Sequence, residues 1–137
     1  MSAINRLREK YPDLFDKNYF HDLPDGWEWI VEAFIKSAQQ WRWREGDLEV
    51  SNFYYLSIVQ CKEKFGSLRL YIDVQGDTMK IADIRSELRG AASMAESLSR
   101  NTCAHCGTMK NNAAVRNNNG YYLALCDTCV ASGAWKL

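Results

Sequence analysis

The sequence predicts an α+β fold, with two long helices packed on a β-hairpin sheet and a small cysteine-bearing module at the C-terminus. Two stretches repeat apolar residues at intervals of three and four, and a stretch between them alternates, so helical and strand periods follow one another in the chain. At Asn101 the composition changes, and four of the five cysteines lie beyond it. These observations divide the chain into an α+β domain, 1–100, and a module, 101–137.

Residues Ser2 to Tyr11 place Ile4 and Leu7 at helical spacing. Tyr11-Pro12-Asp13 stops this short helix, because the residue before proline is pushed out of the helical region. Leu14 to Leu23 has no period, and Phe15, Tyr19 and Phe20 are expected to plug onto the core. Asp25, with Glu28 three residues on, has the spacing of a capping box and opens a long helix. Its apolar stripe is Trp27, Ile30, Val31, Phe34, Ile35, Ala38 and Trp41, and it runs to about Glu45 before Gly46. Trp29 and Trp43 fall opposite that stripe, Trp43 between Arg42 and Arg44. They read equally well as a partner-binding patch and as residues covered by a second element.

Phe53 to Cys61 is rich in aromatic and β-branched residues and apolar on both faces, which marks an inner strand. In Ser67 to Val74, Leu68, Leu70, Ile72 and Val74 face one way, and Arg69, Tyr71 and Asp73 the other. Lys62 to Gly66 is the expected turn, with Gly66 available for positive φ. Gly76-Asp77-Thr78 starts the second long helix, whose stripe is Ile81, Ile84, Leu88, Ala91, Ala92, Ala95 and Leu98, and Asn101 ends it.

The module carries Cys103-Ala104-His105-Cys106 and Cys126-Asp127-Thr128-Cys129, two C-x2-C pairs separated by 19 residues. Two thiolates three positions apart on a tight turn reach one ion at about 2.3 Å, and two such turns complete a tetrahedron, so Cys103, Cys106, Cys126 and Cys129 are expected to hold one Zn2+ per chain. Four cysteines close the coordination shell and leave no position for a reacting water, which makes the zinc structural. Gly107 suits the knuckle after the first pair. Asn119-Gly120, between Ala113–Arg116 and Tyr121–Leu125, is the preferred hairpin dipeptide. This is the layout of a zinc ribbon or a treble clef; a helical turn after Cys129 selects the treble clef.

His105 is redundant beside four thiolates and reads as a surface residue of the knuckle, and His21 as a loop histidine. Cys61 sits on an apolar strand and is expected to be buried and inert. No nucleophile–base pattern, phosphate loop or paired catalytic carboxylate is present, so no catalytic or organic-cofactor site is expected.

Gln60 to Tyr71 contains Lys62-Glu63-Lys64-Phe65-Gly66-Ser67-Leu68-Arg69-Leu70-Tyr71, preceded by Tyr11-Pro12-Asp13-Leu14-Phe15 and Gly26-Trp27 and followed by the two cysteine pairs. In these residues the chain resembles a family of small phage and bacterial proteins with a K-E-K-F-G-x-L-R-x-Y core and, often, a C-terminal zinc-knuckle pair. Cys61 departs from the aliphatic residue expected there. The resemblance implies a phage or mobile-element origin and brings no activity with it.

Charge bounds the function. With 17 Lys plus Arg against 17 Asp plus Glu and 47% apolar residues, the chain is neither disordered nor a basic nucleic-acid tail. No apolar run approaches the roughly 20 residues of a membrane span. Met1 to Tyr11 has no secretory signal, so a cytoplasmic protein without disulfides is expected. Beyond Asn101, Lys110, Arg116 and Lys136 against Asp127 are offset by the excess negative charge of a four-thiolate zinc site. The expected function is a nonenzymatic zinc-containing interaction module whose partner is another protein. The alternative is a nucleic-acid-binding regulator, which the near-zero charge disfavours.

Overall fold

Ser2 starts the first helix, its side chain accepting from the Asn5 amide at 3.2 Å, and α1 spans Ala3–Lys10 until Tyr11 closes it ahead of Pro12. The computed structural model describes the backbone of residues 1–44, 54–76 and 79–135, and side chains of 1–39, 54–76 and 79–135. Ala3, Ile4 and Leu7 are buried, while Arg6 reaches Glu28 at 2.7 Å and Asp25 at 3.2 Å. These ion pairs replace the expected capping box: Asp25–Trp27 forms a 3-10 turn without a side-chain cap, and α2 follows as Glu28–Arg44. The stripe of α2 is as the period requires, with Trp27, Ile30, Val31, Phe34, Ile35 and Ala38 all buried. The expected stop at Glu45-Gly46 and the side chains of Trp41 and Trp43 lie outside the described residues.

β1 (Tyr54–Lys64) and β2 (Ser67–Gly76) pair antiparallel. Their turn is shorter than expected, only Phe65 and Gly66 at φ 55° and 85°, so Lys62 to Lys64 continue the strand. Two consecutive left-handed residues form a type I′ turn, whose twist matches the strands. The register shifts between Ile58 and Gln60, and this bulge at Val59 lets Ile58 and Cys61, three positions apart, both face the core.

β1 is inner because the 14–22 segment pairs with its other edge. The Ile58 amide donates to the Leu14 carbonyl at 2.8 Å and the Asp16 amide to the Ile58 carbonyl at 2.9 Å; the Asp22 amide reaches the Cys61 carbonyl at 3.0 Å. Phe15 is buried there as expected. Tyr19 and Phe20 are not, at 53% and 73% exposure, because the segment leaves the strand between its two bridges.

α3 spans Ile81–Ser99, later than expected, because Gly76 still belongs to β2; Asp77 and Thr78 lie outside the described residues. It buries Ile84, Leu88, Ala92, Ala95 and Ser99, with Ile81, Ala91 and Leu98 half-buried, and contacts β2 and α2. One apolar cluster joins Ala38, Tyr54, Val74, Ile84 and Leu88, and so all four long elements.

Residues 101–135 carry β3 (Ala114–Asn118), β4 (Tyr121–Leu125) and α4 (Asp127–Ala131). Asn119 and Gly120, at φ 53° and 88°, make the expected turn. Among the described residues the architecture is thus α+β with two small antiparallel sheets. The larger apolar cluster runs across Asn101, from Leu7, Trp27 and Leu68 to Ala104, Leu123 and Leu125. Among the described residues no helix is long and apolar enough to cross a membrane.

Candidate metal centre

Both cysteine pairs owe their geometry to local backbone. After Cys103 the chain turns tightly: the Gly107 amide returns to the Cys103 carbonyl at 2.9 Å, and Gly107 takes φ 83°. That turn aims the Cys106 amide at the Cys103 sulfur, 3.5 Å away. Cys126 occupies the N-cap position of α4, so Cys129 falls in the first helical turn, where amides without helical partners favour negative charge.

The four sulfurs of Cys103, Cys106, Cys126 and Cys129 all lie within 4.8 Å of one another. Cys106 and Cys126 are 3.8 Å apart, and a tetrahedral ion with bonds of about 2.3 Å requires sulfur–sulfur edges of about 3.8 Å. That distance is far beyond the roughly 2.05 Å of a disulfide, and all four cysteines are free. Three of the four cysteines are buried and Cys106 is exposed. These residues can therefore hold one metal ion with four sulfur ligands.

The thiols also compete for charge. Burial works to raise Cys103, yet amides of Cys106, Cys126 and His105 outweigh it and hold that thiol at about 7. Cys106 is raised: the Thr108 amide favours its thiolate, but burial and the Cys103 and Cys126 sulfurs prevail. Cys129 is pushed up by burial and by the other three sulfurs. Four ionised sulfurs at this spacing need a central cation.

His105 places Nδ1 3.5 Å from the Cys129 sulfur. It is exposed and lies outside the four-sulfur cluster, in contact with one of its sulfurs.

The surrounding shell was not evident in the sequence. Asn111 and Asn112, both at φ 59°, donate to Thr128 Oγ1 at 2.7 Å and to the Asp127 carboxylate at 2.6 Å. Arg116 donates to Asp127 at 2.7 Å and to the Leu125 carbonyl at 2.9 Å. The Arg116 guanidinium, with Asn112, holds the Asp127 carboxyl below its ordinary range. The asparagines thus tie the segment leading into β3 to the start of α4. Only the left-handed tendency of asparagine could have signalled this.

Two contacts fix the knuckle to α2. The Trp27 indole N–H donates to the Thr102 carbonyl at 2.9 Å, and the Trp29 indole to the Gly107 carbonyl at 3.1 Å. Trp29 keeps 41% exposure, so part of its ring remains on the surface. Comparison with protein families, with curated proteins and with solved structures found no match.

Cys61 lies outside the four-sulfur cluster and is fully buried, with burial pushing its thiol up to about 12. It is therefore protonated at neutral pH. In native protein it should label with a thiol reagent at least tenfold more slowly than after denaturation, as followed by mass spectrometry; rapid native labelling would show an accessible thiolate. His21 is also buried, its Nε2 2.8 Å from the Asp16 carbonyl and its ring edge-on to Phe15. It serves to hold the 14–22 loop.

Proposed function

We propose that the chain is a nonenzymatic interaction module built around one structural Zn2+, with another protein as its partner. The observation that carries the metal assignment is the four-sulfur cluster, which supplies a closed thiolate shell of the type that zinc takes. Knuckle, hairpin and helix N-terminus follow one another through the two pairs, the order of a treble clef rather than of a ribbon. The phage or mobile-element origin implied by the Lys62 to Tyr71 motif places such a partner in a host cell.

A protein partner accords with the surface better than nucleic acid does. Arg116 is neutralised by Asp127, and Asn111, Asn112 and Asn117 spend their side chains on internal hydrogen bonds, so the module keeps little with which to read bases or hold phosphates. Exposed Tyr121 and Tyr122 and half-open Trp29 are residues that protein interfaces favour.

Elemental analysis of protein purified without added metal is expected to give close to one zinc per chain. A ratio near zero with four free thiols would remove the metal. Salt titration of oligonucleotide binding decides the partner class: tight, salt-sensitive binding, with Trp29→Ala unaffected, would favour nucleic acid.

A further inference from the structure

The outer edge of β2 carries a short row of backbone groups that nothing in the described structure uses. Their direction follows from β1. Ile58 spends both its N–H and its C=O on Leu14 and Asp16, away from β2, and residues opposite one another in an antiparallel pair either bond each other or both point away. Ile72, opposite Ile58, therefore turns both groups outward, as do Leu68, Leu70 and Val74 at steps of two.

α3 closes the two ends of this edge with side chains. The Leu68 amide donates to Ser99 Oγ at 2.8 Å, the Leu70 amide to Glu96 at 2.9 Å, and Arg85 donates to the Val74 carbonyl at 2.9 Å. Between these caps the Leu70 carbonyl, the Ile72 amide and carbonyl, and the Val74 amide have no hydrogen-bond partner among the described residues. A groove of about 360 Å³ lies along the Leu70 to Ile72 part of this row, with Arg89, Ala92, Ser93 and Glu96 on the helix side.

We propose that this groove takes an extended, carboxylate-bearing segment of a partner protein, which adds to β2 as a further strand. The proposal rests on the interaction-module reading and gives it a site. Carbonyl and amide alternate along the row at the spacing of a β-ladder, and the complement of such a row is another extended main chain. From Leu70 to Val74 the edge measures about 13 Å at roughly 3.3 Å per residue, room for a segment of three or four residues. Of the two charged side chains that line the groove, Glu96 is spent on the Leu70 amide, whereas Arg89 is exposed and forms no ion pair among the described residues, so it favours a carboxylate on the segment. A second copy fits less well. Pairing two β2 edges about a two-fold axis puts both α3 helices on the same face of the joined sheet, crowded side by side over the seam that each already caps with its own side chains.

The test uses the full chain as purified and a phage-displayed library of random dodecapeptides. Selected peptides should be enriched in Asp and Glu, and their binding should slow hydrogen exchange at the Ile72 and Val74 amides, which should exchange fast in the free protein. N-methylation of the bound peptide at alternate residues should weaken binding at least tenfold and be tolerated at the residues between, because only alternate amides face the edge. Ser93→Trp, at an exposed helix position, should block the groove by a similar factor, and Ile72→Pro should do so by removing one donor.

Slow exchange of Ile72 and Val74 in the free protein would show the edge already paired and overturn the proposal. So would a dimer abolished by Ile72→Pro, or peptides mapping to Trp29 or the hairpin tip; the last leaves the interaction reading standing. Failure to select any peptide, with tight salt-sensitive oligonucleotide binding, would overturn both.

Discussion

Changing Cys126 to Ser is expected to destabilise most of the molecule, well beyond the 37-residue module that holds the cysteine. Binding at a structural zinc site contributes on the order of 10 kcal/mol to folding, comparable with the roughly 5–15 kcal/mol total stability of a domain. Taken from the composition break at Asn101, the sequence leads one to expect that residues 1–100 would survive the loss of the metal. The packing argues otherwise. Trp27, fully buried in the first turn of the α2 region, donates to Thr102, and the Gly26 amide donates to the Ala104 carbonyl at 2.8 Å. At the hairpin tip, Gly66 lies against Val115 and Tyr122. Releasing the knuckle removes the lid from both places. Thermal unfolding by circular dichroism should show a large fall in Tm for Cys126→Ser or for chelator-treated protein, and limited proteolysis should cut on both sides of Asn101. Cleavage confined to the module, with Tm unchanged, would show two independent units. Acid should act in the same direction: bound thiolates carry no protons, whereas unfolded thiols near 8.5 carry them at neutral pH, so unfolding takes up protons and stability falls as pH falls.

What the sequence made legible was whatever a local period or spacing encodes. The α2 stripe, the alternation of β2, the Asn119-Gly120 turn and the four cysteines each need only a few neighbouring residues to be recognised, and each is where its pattern put it. The misplacements share a different cause. Asp25 and Glu28 have cap spacing but answer to Arg6, some twenty residues earlier, so a long-range ion pair decided a local motif. Tyr19 and Phe20 are apolar, yet hydrophobicity without a period does not say which way a loop turns. The bulge at Val59 and the pairing of the 14–22 segment with β1 depend on contacts some forty residues apart. The contacts around the four cysteines were hidden for the same reason: Asn112 and Asp127 meet only once the hairpin has folded.

Gly26→Ala should be among the most damaging single substitutions outside the cysteines, although alanine is the better helix former. A Cβ on Gly26 would stand 2.1 Å from the Cys103 carbonyl oxygen and 2.6 Å from the Ala104 carbonyl carbon. Both are backbone atoms of the knuckle, with no side-chain rotation to relieve the clash. The start of α2 and the first cysteine pair must therefore separate by more than an ångström. That stretches the Gly26 to Ala104 hydrogen bond and pulls on Trp27, which is anchored one residue on. Overpacking of this kind costs about 1–3 kcal/mol where neighbours can adjust, and a backbone-to-backbone overlap belongs at or above the upper end. Gly90 supplies the matched control. It is exposed within α3, nothing lies within 4 Å of its would-be Cβ, and Gly90→Ala should stabilise by about 0.5–1 kcal/mol through helix propensity alone. Urea unfolding of the two variants should move the midpoint in opposite directions, and Gly26→Ala should also weaken metal retention against a competing chelator. Equal small shifts would mean that the close approach of α2 to the knuckle is not maintained in solution.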